Sequence, residues 1–439
     1  MIHTNKGPKL WNKAKTLIPG GSQLLSKRSE MFLPDNWPSY YQKAKGVKVI
    51  DLDGNKLIDM SLMGVGACIL GYADKDVNKA VNKAIKEGSM CTLNCPEEVT
   101  LAEEFLKLNP WADMVRYAKT GGESTSIAIR IARAYTKKSK VIFCGYHGWS
   151  DWYLSANISE EENLDNHLIK GLKPSGVPKE LKNTAIPFEY NDIKTLKKIV
   201  AENPDIAAII VEPIRYVKPK DDFLQKVAKI AKQKKAVLIF DEITTGMRLR
   251  LGGAFEDYNV KPDIVVYGKA IANGYPMGII VGKKKIMDAA QESFISSTFW
   301  TERTGLVAAI ATLKKLKEKH VSEHLIKIGK LIKKGWLNLA KKNKLKIKIM
   351  GIDPLATFHF EEGEQSQILH TLFTQEMLKR GYLASKSVYV SYSHNEKIVK
   401  KYLKTVDKVF SIIKEASKLE HPEETLDGPV AHEGFKRLN

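Results

Sequence analysis

Short apolar runs that each end at a polar or glycine residue are the feature that most constrains this chain. Three of them read IAAIIVEP (206–213), AVLIFDE (236–242) and IVVYGK (264–269). Runs of this length that are rich in β-branched residues are typical of strands buried on both faces of a sheet. Amphipathic stretches such as FLQKVAKIAKQ (223–233) separate them. The pattern therefore predicts an α/β fold with a mostly parallel sheet covered by helices.

The residues that follow these runs are the first candidates for a functional site, because ligands of such sheets bind beyond the carboxyl ends of the strands. They are TGGES (120–124), GYHGW (145–149), Glu212-Pro213, DEITTG (241–246) and Gly268-Lys269. The side chains of these segments determine which class of ligand can bind at this edge of the sheet.

Changes of pattern along the 439 residues divide the chain. We predict an N-terminal segment (1–60) that packs with a small domain, a large domain (61–315), the small C-terminal domain (316–420) and a tail (421–439). Asp53-Gly54 lies between two alternating runs and predicts a hairpin.

The net charge of +20 raises the question of a polyanionic partner. The lysines are scattered over the whole chain, which is typical of solvated surface, so we expect no nucleic-acid partner. An anionic small-molecule substrate would suit this surface. No apolar run is long enough to span a bilayer, and the N-terminus lacks the apolar stretch of a secretory signal. The four cysteines do not form a zinc pattern, so we expect no metal and a cytoplasmic, reducing compartment.

Two of the strand-end segments suit parts of a flat, phosphorylated ligand. Gly121 and Gly122 precede a helix, where glycines let backbone amides approach an anion, although a plain helix N-cap is an alternative. Tyr146 and His147 follow a strand, where a ring can stack on a heterocycle or simply pack against the protein.

Two charged residues complete the pattern. Asp241 ends a strongly apolar strand and needs a partner, which is a protonated pyridine nitrogen, a helix N-cap or a salt bridge. Lys269 ends the next predicted strand, where an amine can form a Schiff base. A phosphate-binding turn, an acid for a pyridinium nitrogen and a Schiff-base lysine together indicate a pyridoxal 5'-phosphate (PLP) site.

The segments IFDEITTGMR (239–248) and YGKAIANGYPMGIIVG (267–282) resemble the class III (ω) aminotransferases, which are fold-type I PLP enzymes. Within them the chain is most similar to the glutamate-1-semialdehyde 2,1-aminomutase group. The resemblance extends from IPGGSQ (18–23) to SSTFWTERTGLVAAIATL (296–313). It implies a seven-stranded, mostly parallel sheet, a smaller α+β domain formed by both termini, and a homodimer with active sites at the subunit interface.

The resemblance also implies roles for individual residues. Lys269 binds the cofactor and Asp241 pairs with its ring nitrogen. Ile243 and Tyr146 cover the two faces of the ring, and His147 is a further cofactor-site residue. Gly121 and Gly122 would contact the phosphate through their backbone, and Thr298 would reach the phosphate of the partner subunit in a dimer. Glu212 and Glu123 are implied as supporting residues of the site.

Several positions depart from the aminomutase pattern. Gly122 stands where the aminomutases have threonine, Val65 stands at a substrate-side tryptophan, and WTER (300–303) replaces Ser-Gly-Asn-Pro. Residues that could face the substrate instead are Lys27, Arg28, Trp149, Trp152, Trp300 and Glu302, with surface or packing roles as the alternative for each.

These observations predict an aminotransferase that moves an amino group from an amino acid to a keto or aldehyde acceptor, such as a sugar or polysaccharide precursor. Glutamate-1-semialdehyde 2,1-aminomutase activity is the alternative within the same cofactor class. A non-catalytic binding protein of the same fold is the alternative from a different class.

Overall fold

The structure, a computed structural model, describes residues 5–167 and 169–438. It consists of two compact units. The first is Lys75–Ser322, and the second combines the residues up to Asp74 with those from Glu323 onward. The domain bounds predicted from the sequence, which include a large domain over 61–315, differ from this division and stay a prediction. Over the described ranges, no helix combines the length and the apolar composition that crossing a membrane requires.

The strands are named in chain order. They are β1 (Tyr41–Lys45), β2 (Lys48–Asp51), β3 (Lys56–Met60), β4 (Met114–Ala118), β5 (Lys140–Cys144), β6 (Ala185–Pro187), β7 (Ile206–Val211), β8 (Val237–Asp241), β9 (Ile264–Tyr267), β10 (Gly278–Gly282), β11 (Ile347–Met350), β12 (Leu355–Phe360), β13 (Tyr382–Ala384) and β14 (Ser387–Tyr389).

The α-helices are named in the same way. They are α1 (Lys6–Leu17), α2 (Lys75–Glu87), α3 (Glu97–Leu108), α4 (Gly121–Thr136), α5 (Asp151–Leu154), α6 (Ala156–Ser159), α7 (Ile193–Glu202), α8 (Phe223–Lys234), α9 (Lys284–Met287), α10 (Arg303–Glu318), α11 (Val321–Lys342), α12 (Ser366–Lys379) and α13 (Glu396–Ala416).

A seven-stranded sheet forms the centre of the Lys75–Ser322 unit, with the strand order β4-β10-β9-β8-β7-β5-β6. Strand β10 is antiparallel to β4 and β9, and the other pairings are parallel. Every residue of β7, β8 and β9 is buried. Burial on both faces explains why these runs are continuously apolar. The predicted seven-stranded, mostly parallel sheet is confirmed.

Helix α4 covers one face of this sheet. Its buried side chains, which include Ile127, Ile131 and Ala132, join Val141, Ala208 and Val266 of the strands in one apolar core. Spacing of three and four residues puts the apolar residues of α4 on one stripe. This packing fixes the start of α4 against the carboxyl ends of the strands.

The other unit contains two smaller sheets, of order β1-β2-β3-β13 and β11-β12-β14. Strands β2 and β3 are antiparallel, and Gly54 in the turn between them has φ +86°, as a tight hairpin requires. The hairpin predicted at Asp53-Gly54 is therefore confirmed.

An aromatic cluster forms the core beside β12. The ring of Phe358 is fully buried and its centroid lies 4.9 Å from that of Trp336, 5.2 Å from Phe373 and 5.9 Å from Phe410. These residues come from β12, α11, α12 and α13. A single ring therefore joins three helices to the sheet.

We predict that Phe358→Ala lowers the free energy of unfolding of this unit by about 3–5 kcal/mol, because it removes a large buried ring and leaves a cavity. Denaturant unfolding monitored by circular dichroism measures the change. Leu337→Ala is the control, because Leu337 lies next to Trp336 on α11 but is 48% exposed. Equal losses in the two variants would contradict the assignment of Phe358 to the core.

Candidate active site

Five parallel strands deliver the predicted site residues to one edge of the seven-stranded sheet. Strands β4, β5, β7, β8 and β9 point the same way, so the residues at their carboxyl ends share that edge. The residues delivered there are Gly121 and Gly122 after β4, Tyr146 and His147 after β5, Glu212 after β7, Asp241 and Ile243 at the end of β8, and Lys269 after β9.

Lys269 lies in a partly enclosed position beyond β9. Its Nζ donates a hydrogen bond to Thr244 Oγ1 at 2.8 Å. Burial, together with the positive charge of Arg215, lowers the pKa of Lys269 from its usual value of 10.5 to about 8. An amine with such a pKa is neutral, and therefore nucleophilic, in a larger fraction of molecules near neutral pH than an exposed lysine.

The backbone of Lys269 is itself unusual. Its φ is +43°, in the left-handed region that non-glycine residues rarely adopt. Conformations of this kind persist where the surrounding structure enforces them, and they concentrate at functional sites. This left-handed backbone conformation directly follows Gly268 and holds Lys269 at the carboxyl end of β9.

Asp241 is almost fully buried, and its carboxylate is held from two sides. His147 Nδ1 lies 2.8 Å from Oδ2, and the backbone amide of Ile243 donates to Oδ1 at 3.0 Å. A carboxylate can only accept, so Nδ1 of His147 carries the hydrogen. His147 therefore fixes the orientation of Asp241, and its Nε2 is buried with no hydrogen-bond partner among residues 5–167 and 169–438.

Glu212 links the loops after β5 and β7. Its Oε2 accepts a hydrogen bond from the backbone amide of Tyr146 at 3.1 Å, and its Oε1 lies 2.9 Å from Nη1 of Arg215. Burial raises the pKa of Tyr146, whereas the charge of Arg215 opposes that shift. Arg215 is therefore near both Tyr146 and Lys269, and Glu212 compensates its buried charge.

Helix α4 begins with a capping box between Thr120 and Glu123. The Glu123 carboxylate accepts from the backbone amides of Lys119 and Thr120, at 3.1 and 2.8 Å. Within the described ranges, the amides of Gly121 and Gly122 make no hydrogen bond. The first turn of α4 therefore offers two amides and the positive end of the helix dipole to an anion.

A small apolar surface lies beside these amides. A Cβ atom at Gly121 would come within 3.1 Å of Ile243 Cδ1, and one at Gly268 within 3.3 Å of Ile243 Cγ2. The Ile243 side chain thus packs against two glycine backbones at the strand ends, where it presents an apolar surface next to Lys269.

The predicted site residues after β10 have different surroundings. Thr298 is exposed in a one-turn 3-10 helix (Thr298–Thr301). Trp300 packs against the core of the sheet. Glu302 caps α10 by accepting from the Thr304 amide at 2.8 Å, and it pairs with Lys119 Nζ at 3.0 Å. Burial opposes its ionisation, but these hydrogen bonds outweigh burial and lower the pKa of Glu302.

The two tryptophans after β5 differ in exposure. Trp149 is 70% exposed and lies against Gly122. Trp152 is buried and its ring is roughly parallel to that of His147, with the centroids 6.2 Å apart. Trp152 therefore packs against the ring of His147 inside the protein.

Lys27 and Arg28 belong to the other unit. Lys27 ends a short 3-10 helix (Leu25–Lys27). Arg28 donates to the carbonyl of Lys436 at 3.0 Å, and its guanidinium lies 5.5 Å from the centre of the Phe435 ring. The C-terminal tail therefore contacts Arg28 directly. The substrate roles of Lys27 and Arg28 stay predictions.

Thr244 and Arg215 are site residues that the sequence reasoning missed. Thr244 lies within DEITTG, which it singled out, and Arg215 lies two residues beyond Glu212-Pro213. Their positions three and four residues beyond a strand end were the available indication. Neither residue type has chemistry specific enough to be chosen without the contacts to Lys269 and Glu212.

Comparison with known proteins identifies the family. The sequence model described as Aminotransferase class-III matches residues 34–405. The chain belongs to the class III aminotransferases. This confirms the resemblance stated above, and with it PLP as the cofactor and an enzyme as the kind of protein.

Two relatives of this aminotransferase match it over most of both chains. The 3-aminobutyryl-CoA aminotransferase of Cloacimonas acidaminovorans is 33% identical over 400 residues, covering 88% of this chain and 92% of the relative. The glutamate-1-semialdehyde 2,1-aminomutase of Methanocaldococcus jannaschii is 33% identical over 433 residues, covering 93% and 99%. The family thus includes both transaminating and mutase relatives at equal identity.

Solved structures agree with the fold. The PLP internal aldimine form of the FumI protein of Sphingopyxis sp. MTA144 has a TM-score of 0.84 and 25% identity, covering 96% of this chain and 99% of that one. The β-phenylalanine aminotransferase of Variovorax paradoxus has a TM-score of 0.79 and 23% identity, covering 94% and 95%. The second likeness concerns the fold alone.

The residues at the sheet edge fit PLP. The unpaired amides of Gly121 and Gly122 suit its phosphate, the buried Asp241 carboxylate suits a protonated ring nitrogen, and the Lys269 amine suits its aldehyde. No group of histidine, cysteine or acidic residues in the described part of the chain could hold a metal ion.

Glu242, next to Asp241, is buried, and no salt bridge joins it to a cation among residues 5–167 and 169–438. It accepts from Thr245 Oγ1 at 2.5 Å and from the Phe255 amide at 3.0 Å. Burial raises the pKa of Glu242 from 4.5 to about 8. The charge of the adjacent Asp241 adds to the effect of burial, and a neutral Glu242 places no second buried negative charge beside Asp241.

We predict that Glu242→Gln removes part of the pH dependence of stability. Because the folded pKa of Glu242 is raised, its contribution is complete below pH 4.5 and is lost as the pH rises to about 8, on the order of a few kcal/mol. Unfolding free energies of the wild type and the variant between pH 4.5 and 8 measure this difference in slope. The control is Glu160→Gln, because Glu160 is exposed and this variant should keep the wild-type slope. If Glu242→Gln also kept the wild-type slope, the raised pKa of Glu242 would be refuted.

Proposed function

We propose that this enzyme transfers the amino group of an amino acid to a keto or aldehyde acceptor, with PLP held at the edge formed by the strand ends. The observation that carries the proposal is the enclosed Lys269 amine, which lies at the same sheet edge as the buried Asp241 and is hydrogen-bonded to Thr244. When bound, PLP would delocalise the electron pair that stays on the substrate carbon once its proton has been removed.

Lys269 has two tasks in this proposal. It would bind the cofactor through Nζ. Once the substrate amine has taken that place, Nζ would be free to move the proton between the substrate Cα and the cofactor carbon. Thr244 Oγ1 orients the amine, and the lowered pKa favours its neutral, proton-accepting form.

The other residues hold the cofactor in position. Asp241, oriented by His147 and the Ile243 amide, keeps the ring nitrogen protonated. Ile243 and Tyr146 cover the ring faces, while Gly121 and Gly122 bind the phosphate through their amides. Glu212 supports Tyr146 through its backbone amide.

The working form in this proposal is a homodimer in which Thr298 reaches the phosphate bound by the partner subunit. Thr298 is exposed, and the neighbouring side chains Phe294 and Phe299 are 87% and 67% exposed. Exposed aromatic residues at this density support an interface with another chain.

The substrates in this proposal are anionic. The net charge of +20 favours them, and Arg215 is a partly buried cation near the Lys269 amine. A sugar or polysaccharide precursor is one acceptor class, and Trp300, Glu302, Trp149, Lys27 and Arg28 remain candidates for facing it. The relative named 3-aminobutyryl-CoA aminotransferase supports including an acyl-CoA amine among the donors tested.

Glutamate-1-semialdehyde 2,1-aminomutase activity is the second candidate. The M. jannaschii relative, which matches 93% of this chain at 33% identity, supports it. Such an activity needs no external amino donor, so a donor experiment separates the two proposals.

We predict that L-glutamate, added to the purified holoenzyme without an acceptor, shifts the visible absorbance band of the lysine-bound cofactor to shorter wavelength. One equivalent of 2-oxoglutarate should be released per site, because the amino group has moved to the enzyme. Lys269→Ala should lose both the band and the release, whereas the exposed Lys284→Ala should retain both.

Other outcomes of that experiment are informative. A band that responds to glutamate-1-semialdehyde or a diamino acid but to no other donor would favour the mutase. A Lys269→Ala variant that still released 2-oxoglutarate would refute the role of Lys269.

We predict that Arg215→Gln raises the KM for carboxylate-bearing donors by about tenfold or more and leaves carboxylate-free amines unaffected, because a charged hydrogen-bond partner is lost. Arg215→Lys should give an intermediate KM, since it keeps the charge but lacks the two-pronged guanidinium. Arg133→Gln is the control, because Arg133 binds the carbonyl of Ser139 at the other end of α4. Equal KM changes for both amine classes would contradict substrate binding by Arg215.

A further inference from the structure

The indole of Trp149 occupies the space that a side chain at position 122 would fill. A Cβ atom at Gly122 would lie 3.0 Å from Trp149 Nε1 and 3.1 Å from Cδ1, but 3.9 Å from Cε2. The nitrogen-bearing edge of the ring, and not its benzene edge, therefore faces the first turn of α4. No hydrogen bond of Nε1 occurs within residues 5–167 and 169–438.

Several contacts hold this loop on the helix. Thr125 Oγ1 donates to the carbonyl of His147 at 2.8 Å, and the hydroxyls of Ser126 and Ser150 are 2.7 Å apart. Gly148 has φ +108°, and a Cβ atom there would lie 3.0 Å from Gly122 Cα. The two glycines thus allow a backbone crossing that places Trp149 beside the amides of Gly121 and Gly122.

The chemistry of this location is that of a phosphate site. An indole N–H can only donate, and a phosphate oxygen can only accept from it. The aminomutases resembled by this chain have a threonine at position 122, whose hydroxyl is absent here. The indole nitrogen lies 3.0 Å from the point that the Cβ atom of such a threonine would occupy.

We propose that Trp149 Nε1 donates a hydrogen bond to the phosphate of PLP and so replaces the side-chain donor that Gly122 lacks. Trp149 is then a cofactor-binding residue and not one that selects the substrate. The inference rests on the phosphate position proposed above and is independent of the identity of the amino donor.

The test is the affinity of the apoenzyme for PLP and for pyridoxal, which lacks the phosphate, measured by absorbance titration without any amino substrate. Trp149→Phe should weaken PLP binding about tenfold, the change expected when one hydrogen bond to a charged acceptor is lost. Its affinity for pyridoxal should stay at the wild-type value. Because Trp149 is 70% exposed, the variant is expected to fold normally.

Two further variants sharpen the measurement. Trp111→Phe is the control, because it also removes an indole N–H that has no partner among the described residues. Trp111 precedes β4 and so lies at the amino-terminal edge of the sheet, opposite the strand ends that hold the site. The PLP affinity of this variant should not change. Gly122→Thr supplies a hydroxyl and displaces the indole. In that background, adding Trp149→Phe should cause no further loss.

Three results would overturn the inference: unchanged PLP affinity in Trp149→Phe, an equal loss for pyridoxal, or a full tenfold loss on adding Trp149→Phe to Gly122→Thr. Because no amino substrate is present, these failures are distinct from a failure of the glutamate reaction, which tests the proposed transamination.

Discussion

The buried contact between Asp241 and His147 is the interaction on which the rest of the site depends. A carboxylate at the end of a fully buried strand is unstable unless it has partners, and His147 Nδ1 at 2.8 Å together with the Ile243 amide supplies them. The contact also joins the loops after β5 and β8, two strands that β7 separates in the sheet. It therefore determines where Tyr146 and Ile243 lie relative to each other.

The charges around Lys269 follow from the same burial. Arg215 is compensated by Glu212, and neutral Glu242 adds no second negative charge beside Asp241. What remains next to Lys269 is a desolvated surrounding with a nearby guanidinium, and both factors lower the pKa of the amine. Burial is therefore the main cause of the lowered pKa of Lys269, and the negative charges of Glu212 and Asp241 oppose the shift.

The sequence was sufficient to predict the sheet and the strand-end residues, because both depend on local patterns. Continuous apolar runs such as IAAIIV require burial on both faces, and parallel strands bring Gly121, Asp241 and Lys269 to one edge. Contacts between distant side chains were not predictable in this way. The Thr244 hydroxyl on Lys269, and the Lys119 pairing that engages Glu302, depend on tertiary geometry that no spacing encodes.

The same distinction explains why the cofactor is easier to assign than the substrate. The groups proposed to hold PLP are backbone amides, one carboxylate and one lysine, which the sheet topology positions together. Substrate recognition relies on long side chains whose contacts vary, as Arg28 illustrates: the tail carbonyl of Lys436 and the Phe435 ring contact its guanidinium. A residue predicted to face the substrate can thus be engaged elsewhere within its own unit. Substrate specificity in such a chain has to be derived from the contacts of each side chain. A position that aligns with a relative's substrate residue indicates where the backbone lies, and not what the side chain contacts.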